Sequence, residues 1–213
     1  MVVDGKALAE KIKNSLKEEI LRSGKKIRLA VLKIGSDAVT EKFLEQKKKF
    51  AEYIGVDVRI YEAPADISTN KFREKVSEIV HIKENDGVII QLPLPAQINT
   101  QYILDAIIPG KDPDMLSSKS RGLSPVVGAI KTIFEEYKVD IKGKNVVVVG
   151  AGRLVGKPVA TWLLNQGVTV SVVDENTANL ENFTKNADII ISGAGKPKII
   201  KPDMVKEGVV AID

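Results

Sequence analysis

Four consecutive valines, Val146–Val149, constrain the fold of this chain more than any other feature. An unbroken run of branched apolar residues is typical of a strand that is buried on both faces, as in a parallel sheet covered by helices. The run ends at Gly150, and Gly152 and Gly156 follow before a segment with helical periodicity begins. The sequence therefore predicts a buried strand, a glycine-rich turn and a helix, in that order.

The same succession of strands and helices runs along the whole chain. Predicted strands are 27–34, 56–61, 88–91, 145–149, 169–173, 188–192 and 208–213. Predicted helices are 7–20, 39–54, 69–83, 126–137, 157–165 and 180–186. This alternation predicts an α/β protein with parallel sheets. Residues 109–125 are rich in Gly, Pro, Ser, Lys and Asp and lack an apolar period, so we predict two domains, 1–118 and 119–213.

Composition excludes several classes of protein. The 213 residues include no cysteine, which excludes disulfides and thiolate chemistry and favours a reducing, cytoplasmic setting. No apolar run approaches the roughly twenty residues that cross a bilayer, and residues 1–11 are too charged for a signal peptide. The net charge of +4 is spread too evenly for a nucleic-acid surface. The lone histidine, His81, suggests no metal site, and we predict neither a membrane nor a nucleic-acid partner.

The glycine-rich turn has the order of elements that a dinucleotide site needs. Glycines let the backbone approach a pyrophosphate, and a helix N-terminus offers free amides to it. The third glycine comes one position later than in the common G-x-G-x-x-G pattern, so a plain strand-to-helix turn is the alternative. Asp174 and Glu175 follow the next strand, where a carboxylate would bind the adenosine ribose and repel a 2′-phosphate, unless they are simply solvated acids. The predicted cofactor is NAD or NADP, with NAD favoured.

Seven segments occur in the order found in one known family. They are DGKALAEKI (4–12), the helix containing Lys47, DGVIIQLPLP (86–95), IIPGKDPD (107–114), GAGRLVGKP (150–158), ADIIISGAGKP (187–197) and VKEGVVAID (205–213). Over essentially its whole length the chain resembles methylenetetrahydrofolate dehydrogenase/cyclohydrolases. The resemblance implies a folate-binding α/β domain, a Rossmann-like NAD(P)-binding domain with a parallel sheet, a cleft between them and a homodimer. It also implies oxidation of 5,10-methylenetetrahydrofolate and hydrolysis of the methenyl product to 10-formyltetrahydrofolate.

The resemblance also implies the site residues. It places the catalytic lysine at Lys47, its glutamine partner at Gln91 and the pterin-binding aspartate at Asp114. A lysine can polarise an attacking water and stabilise a negative oxygen, and an amide can orient it. The implied substrate-binding residues are Thr40, Phe43, Leu92 and Pro93. The implied cofactor-binding residues are Gly150, Gly152, Arg153, Leu154, Val155, Gly156, Asp174, Glu175, Gly193 and Gly195. Without the resemblance, Lys47 would be one of three consecutive lysines on a solvated helix face.

Several positions depart from the family pattern. Phe43 stands where the family has a tyrosine, and Met115 follows the KDPD segment. Ala151 replaces the arginine of an Arg-Ser pair that NADP-using members carry, which favours NAD. Family members continue beyond the point that corresponds to Asp213, so we expect a shortened or incomplete chain. The alternatives to an active enzyme are a catalytically impaired folate- or nucleotide-binding homologue and, less favoured, a Rossmann dehydrogenase with another substrate.

Overall fold

The computed structural model of the chain describes residues 1–35 and 38–213 and divides into two compact units, Met1–Arg121 and Gly122–Asp213. This division lies three residues after Ser118, where the sequence analysis places the domain boundary. Each unit holds a parallel sheet, which confirms the predicted α/β class. None of the helices in the described part of the chain is both long and apolar enough to span a bilayer.

The first unit is built around the parallel strand order β2-β1-β3. Its elements are α1 (Gly5–Ser23), β1 (Ile27–Ile34), α2 (Ala38–Ile54), β2 (Val56–Ala63), α3 (Thr69–His81), β3 (Gly87–Ile90), α4 (Thr100–Leu104) and a 3₁₀ turn (Pro109–Lys111). The larger core lies on the α3 side of the sheet, where Leu32 and Val88 pack with Phe72. A smaller cluster on the other side joins Val31 and Ile89 to Leu44 of α2. Both faces of the sheet are therefore covered, as its apolar strands require.

The second unit has the parallel strand order β5-β4-β6-β7. Its elements are α5 (Pro125–Glu136), β4 (Asn145–Val149), α6 (Gly156–Asn165), β5 (Thr169–Val173), α7 (Leu180–Thr184), β6 (Ile189–Ser192), a 3₁₀ turn (Pro202–Met204) and β7 (Val210–Ile212). Val146 and Val148 pack into the core on one face of β4, and Val147 and Val149 pack into the core on the other. All four valines are at most 3% exposed, so the prediction of a strand buried on both faces is confirmed.

Helix α4 is the main element that the sequence pattern did not predict. Five residues are too few to show a helical period. The helix begins because the Asn99 Oδ1 accepts a hydrogen bond from the Tyr102 backbone N–H at 3.1 Å, and its buried Ile103 and Leu104 pack into the larger core. Helix α3 ends at His81, two residues earlier than predicted, because Ile82 adopts an extended conformation.

Candidate functional site

Helix α2 places only the first lysine of the run Lys47–Lys49 on its sheet-facing side. Residues three and four apart share one face of a helix, and here that face carries a mainly buried set: Thr40, Leu44, Lys47, Ala51 and Ile54. Lys47 is half-buried within this set, whereas Lys48 and Lys49 are exposed. Because Cβ atoms tilt toward a helix N-terminus, the Lys47 side chain leans toward the carboxyl end of the sheet. Lys47 thus differs from its two neighbours both in burial and in the face of the helix on which it lies.

Lys47 and Gln91 form a short hydrogen-bonded chain at that end of the sheet. The Lys47 Nζ donates to the Gln91 Oε1 at 3.0 Å, and the Gln91 Nε2 donates to the Leu92 carbonyl at 2.8 Å. Gln91 itself stays beside β1, since its backbone N–H donates to the Leu32 carbonyl at 2.8 Å. The Leu92 carbonyl can only accept, so it requires the amide nitrogen on its side and leaves the amide oxygen facing the lysine. The backbone thus determines the orientation of Gln91.

Asp114 contributes a carboxyl group whose charge is influenced by the same lysine. It is half-buried. Burial raises the pKa of Asp114 above its usual range, the positive charge of Lys47 opposes that rise, and the negative charge of Asp112 adds to it. Lys47 therefore interacts with both of the other residues that the resemblance implies at this site, through a hydrogen bond with Gln91 and through its charge with Asp114. A carboxyl group with a raised pKa beside a lysine is typical of functional sites.

The loop that carries Asp114 is tied to the fold through its neighbours. The Lys111 Nζ donates to the carbonyls of Val80 and Ile82 at 2.9 and 2.8 Å, at the C-terminal end of α3. The buried Asp112 accepts from the Ser117 backbone N–H at 2.8 Å. These bonds explain how a segment without regular secondary structure holds a carboxyl group in a defined place.

The four residues implied as substrate-binding differ in their surroundings. Thr40 is buried on the sheet-facing side of α2, and Phe43 is 55% exposed one helical turn before Lys47. The Leu92 side chain packs against the larger core, so Leu92 contributes its carbonyl to the chain described above. Pro93 is exposed and follows a cis peptide bond. Phe43 thus offers an exposed aromatic face on the helix that carries Lys47.

The second unit contains a cavity of about 720 Å³ at the carboxyl ends of β4, β5 and β6. Its lining residues are Val149, Gly150, Ala151, Gly152, Lys157, Asp174, Glu175, Leu180, Gly193, Ala194, Lys196 and Ile199. Ligand sites generally measure about 300–1,000 Å³, and the carboxyl ends of parallel strands are where such sheets bind ligands. Of the residues implied as cofactor-binding, the lining includes Gly150, Gly152, Asp174, Glu175 and Gly193.

Three of the glycines let backbone segments touch at the floor of this cavity. A Cβ added to Gly156 would lie 1.8 Å from the Gly150 carbonyl oxygen, and one added to Gly193 would lie 2.5 Å from a Val155 methyl carbon. Gly150 has a φ of +98°, and a Cβ there would lie 2.9 Å from the Gly193 backbone. The start of α6 and the ends of β4 and β6 therefore meet only because these positions lack side chains. Gly156 and Val155 serve this packing and lie outside the cavity lining.

Gly152 differs from these packed glycines. A Cβ added there would meet nothing within 4 Å, yet Gly152 lines the cavity. The fold alone does not require a glycine at this position, so the space it leaves suits a ligand that approaches the backbone. Arg153 and Leu154 are exposed outside the lining, and Gly195, which has a φ of +65°, lies outside it as well.

Asp174 is held at the end of β5 by a turn made by its own side chain. Its Oδ1 accepts from the Asn176 backbone N–H at 2.9 Å and from the Thr177 hydroxyl at 3.3 Å. The Asp174 backbone N–H donates to the Thr177 Oγ1 at 3.1 Å. Only one carboxylate oxygen is used in these bonds, so the other is oriented without being consumed by the turn.

The sequence pattern missed one charged residue of the cavity. Lys157 lines it at the second position of α6, directly after Gly156. A cation in the first turn of a helix is unfavourable for the helix dipole, which is a signal that could have identified it. Lys196, after β6, also lines the cavity. The cavity lining therefore includes lysines as well as the two acids Asp174 and Glu175.

Family models match both units of the chain. A model described as the tetrahydrofolate dehydrogenase/cyclohydrolase catalytic domain matches residues 3–114, and one described as the NAD(P)-binding domain of the same enzymes matches residues 125–213. The chain is 39% identical, over 222 aligned positions, to the bifunctional protein FolD of Methanoculleus marisnigri, and the match covers 100% of this chain and 78% of that protein.

Solved structures give the same result. The bifunctional enzyme FolD-methylenetetrahydrofolate dehydrogenase/cyclohydrolase from Campylobacter jejuni has a TM-score of 0.93 and 35% identity, covering 99% of this chain and 79% of that one. The Trypanosoma brucei methylenetetrahydrofolate dehydrogenase-cyclohydrolase, solved with NADP and an inhibitor, has a TM-score of 0.91 and 28% identity, covering 99% and 77%. These relatives give no support to the alternative of an impaired homologue.

Proposed function

The chain belongs to the tetrahydrofolate dehydrogenase/cyclohydrolase family, and on this premise we propose that it oxidises 5,10-methylenetetrahydrofolate with NAD(P) and hydrolyses the methenyl product to 10-formyltetrahydrofolate. The observation that carries the hydrolytic half is the 3.0 Å hydrogen bond from the Lys47 Nζ to the Gln91 Oε1. It separates one lysine from a run of three and gives it a polar partner at the ligand-binding edge of a parallel sheet.

Hydrolysis adds water to the methenyl carbon, breaks one of its two bonds to nitrogen and releases a proton. We assign Lys47 to the oxygen that becomes negative during this addition, because a positioned Nζ can donate to it. Gln91 holds the Lys47 Nζ in place, since its own amide is oriented by the Leu92 carbonyl. Preorganised donors of this kind act without reorganising during the reaction.

We assign Asp114 to the donor edge of the pterin. Asp114 is half-buried, so part of the water around its carboxyl group has been removed, and this burial raises the pKa of Asp114. Hydrogen bonds from a substrate would replace that hydration and favour the charged form. Phe43, exposed one turn before Lys47, supplies an apolar face for the ring, and Thr40, Leu92 and Pro93 complete the proposed substrate segments.

The cofactor is assigned to the cavity of the second unit. The cavity fits a dinucleotide because Gly152 leaves open space beside the backbone and Gly150 and Gly193 line it. These residues would hold the cofactor, and a bound nicotinamide would supply the acceptor for the hydride that the methylene carbon of the folate loses on oxidation. Asp174 has a carboxylate oxygen beyond those used in its turn, which suits a ribose hydroxyl, and its charge, with that of Glu175, disfavours a 2′-phosphate. We therefore propose NAD as the preferred cofactor.

The roles of the two units and the setting of the protein follow from the same reading. We propose that residues 1–118 bind the folate and residues 119–213 bind the cofactor, and that the protein is a cytoplasmic homodimer. The absence of cysteine supports a reducing compartment. Support for a dimer comes from the family resemblance, and light scattering of the purified protein tests it.

Two assays with the purified chain test the proposed activities. In the first, the protein is given methylenetetrahydrofolate with NAD or with NADP, and reduced nicotinamide is followed by absorbance; we expect faster reduction of NAD. In the second, the decay of methenyltetrahydrofolate is followed with and without the protein. If the protein reduces neither NAD nor NADP, the dehydrogenase half of the proposal is wrong. If methenyltetrahydrofolate decays no faster with the protein than without it, the hydrolytic half is wrong.

A further inference from the structure

Lys33 is a buried lysine in the central strand of the first unit. It is 6% exposed and lies near the end of β1, whose other buried residues are apolar. An ammonium group is costly to bury unless ionic or hydrogen-bonding partners replace its water. Its position therefore calls for a structural or functional explanation.

Two glutamates from different elements supply those partners. The Lys33 Nζ forms an ion pair with Glu41, in the first turn of α2, and a second with the Glu62 Oε2 of β2 at 3.2 Å. The hydrogen bond to Glu41 is the main cause that raises the pKa of Lys33; burial opposes it and Glu62 adds to it. Lys33 thus remains charged and joins β1 to both β2 and α2.

This cluster lies next to the Lys47 site. β1 and β3 pair in parallel with Val31 opposite Ile89, and both residues pack against Leu44 of α2. Side chains alternate along a strand, so Lys33 and Gln91, each two residues further along, share that face. Their ion-pair and hydrogen-bond partners, Glu41 and Lys47, both belong to α2. One helix is therefore tied to the sheet at two polar points.

The packing under α2 explains why a polar tie matters. Among the described residues, the apolar cluster under α2 is small, with Val31, Leu44 and Ile89 buried at its centre, whereas the cluster under α3 is much larger. Apolar contact has no directional preference and tolerates small shifts along a surface. A charge-assisted hydrogen bond has a defined length and direction. The Lys33–Glu41 pair can thus set the position of α2 where packing does not.

We propose that Lys33 is a positioning residue for hydrolysis: by binding Glu41 it fixes the first turn of α2 to the carboxyl end of β1, and so keeps Lys47 at hydrogen-bond distance from Gln91. This inference rests on the proposed function of the Lys47 site. Glu62 balances the charge of Lys33 but does not belong to α2, so it contributes less to the effect.

The kinetic test compares Lys33→Met with Lys49→Met. Lys49 pairs with Glu45 within α2 itself, at 2.6 Å on the exposed side, so it is a matched lysine that does not tie the helix to the sheet. We expect Lys33→Met to lower kcat for methenyl hydrolysis by about ten- to a hundredfold, the effect of a misplacement of the order of 1 Å, with little change in KM. Lys49→Met should hydrolyse like the wild type.

Two glutamate variants refine the test. Glu41→Gln leaves Lys33 paired with Glu62 and weakens only the contact with α2, so it should lower kcat more than Glu62→Gln does. The double variant Lys33→Met/Glu41→Gln should hydrolyse no more slowly than Lys33→Met alone, because the two changes remove the same interaction. If Lys33→Met does not fold, Glu41→Gln decides the question.

A measurement without substrate separates this inference from the proposed function. The side-chain amide signals of Gln91, assigned by their loss in Gln91→Met, report its hydrogen bonds in a ¹⁵N–¹H spectrum. They should move in Lys47→Met and in Lys33→Met, and stay in place in Lys49→Met. If they move in Lys33→Met although the wild type does not hydrolyse the substrate, the positioning role stands and the proposed function fails.

Three outcomes overturn the positioning role. The first is hydrolysis at the wild-type rate in both Lys33→Met and Glu41→Gln. The second is a Gln91 amide signal that Lys33→Met leaves unmoved. The third is a loss of hydrolysis in proportion to the folded fraction, measured by thermal unfolding, because Lys33 would then support only the general stability of the unit.

Discussion

The Lys47 site and the cofactor cavity are built by different means. The first consists of side chains brought from α2, the end of β3 and a loop, and its central contact is one 3.0 Å hydrogen bond between Lys47 and Gln91. The second rests on backbone contacts at Gly150, Gly156 and Gly193, where any side chain would overlap its neighbours. A substitution in the first region should therefore affect chemistry and spare the fold, whereas one in the second should affect the fold first.

The largest effect is expected at the floor of the cavity. Gly156→Ala places a Cβ 1.8 Å from the Gly150 carbonyl oxygen, which only a backbone shift can relieve. We expect a destabilisation of about 3 kcal/mol or more and loss of cofactor binding, measured by denaturant unfolding and by calorimetric titration with NAD. Gly152→Ala is the control: its stability should stay within about 0.5 kcal/mol of the wild type, while its affinity for NAD falls. Wild-type affinity in Gly156→Ala would contradict the packing role.

The next largest effect is expected at Lys47. Lys47→Met removes the donor to Gln91 and to the developing negative oxygen, so we expect a loss of about 10²–10³-fold in methenyl hydrolysis. The melting temperature and the NAD affinity should stay at the wild-type values. Lys48→Met, on the exposed side of the same helix, is the matched control and should hydrolyse normally. Unchanged hydrolysis in Lys47→Met would remove this residue from its assigned role.

A smaller effect is expected at Asp174. Asp174→Asn keeps an oxygen for the turn with Asn176 and Thr177 but removes the charge. A hydrogen bond to a charged group contributes about 1.5–3 kcal/mol, so NAD affinity should fall by about tenfold or more, and the preference for NAD over NADP should shrink. The ratio of the two dissociation constants measures this. Glu175→Gln, at an exposed position, should change the ratio less, and an unaltered ratio in Asp174→Asn would argue against the ribose assignment.

The smallest effect is expected in the pH dependence of stability. The folded protein raises the pKa of Asp114, so it binds this proton more tightly than the unfolded chain does. The stabilisation from this group is complete below the unfolded pKa of about 3.9 and is lost as pH rises through the folded pKa. As pH rises through this range, the free energy of unfolding of Asp114→Asn should therefore increase relative to that of the wild type. Denaturant titrations at several pH values measure this difference.

Asp105 should show the opposite dependence of stability on pH. Burial acts to raise its pKa, but hydrogen bonds from Ser118 and Gln101 outweigh burial and lower it. Its stabilisation is present above the unfolded pKa and is lost as pH falls through the folded one. Asp105→Asn should thus be less stable than the wild type at neutral pH, and the difference should shrink in acid. Parallel pH curves for both variants would contradict the two assignments.

Much of the second unit could be predicted from the sequence because its signals are local. Val146–Val149 and the glycines after them lie within eleven consecutive residues, so strand, turn and helix follow from neighbours in the chain. The different roles of those glycines could not be predicted. Gly152 and Gly156 look alike in sequence, and only the contact with Gly150 shows that one serves packing while the other borders the cavity.

Less of the first unit could be predicted from the sequence, because its contacts join residues that are far apart in the chain. Lys47 and Gln91 are 44 positions apart, and the resemblance, not periodicity, drew attention to the lysine. The helical face that includes Leu44 and Ala51 was a signal that could have distinguished Lys47 from Lys48. No comparable signal marked Lys33, since a charged residue near a strand end is usually solvent-exposed.

The sequence by itself determined the class of fold, the order of its elements and the family, because these depend on residue type and on spacing along the chain. Only the tertiary structure decided which lysine meets Gln91, which glycines are packed and which carboxyl group is partly desolvated. Those properties depend on distance and burial, and a polar group acquires them only when chain folding replaces its water with particular neighbours. The four valines illustrate the first kind of information, and the Lys33–Glu41 pair illustrates the second.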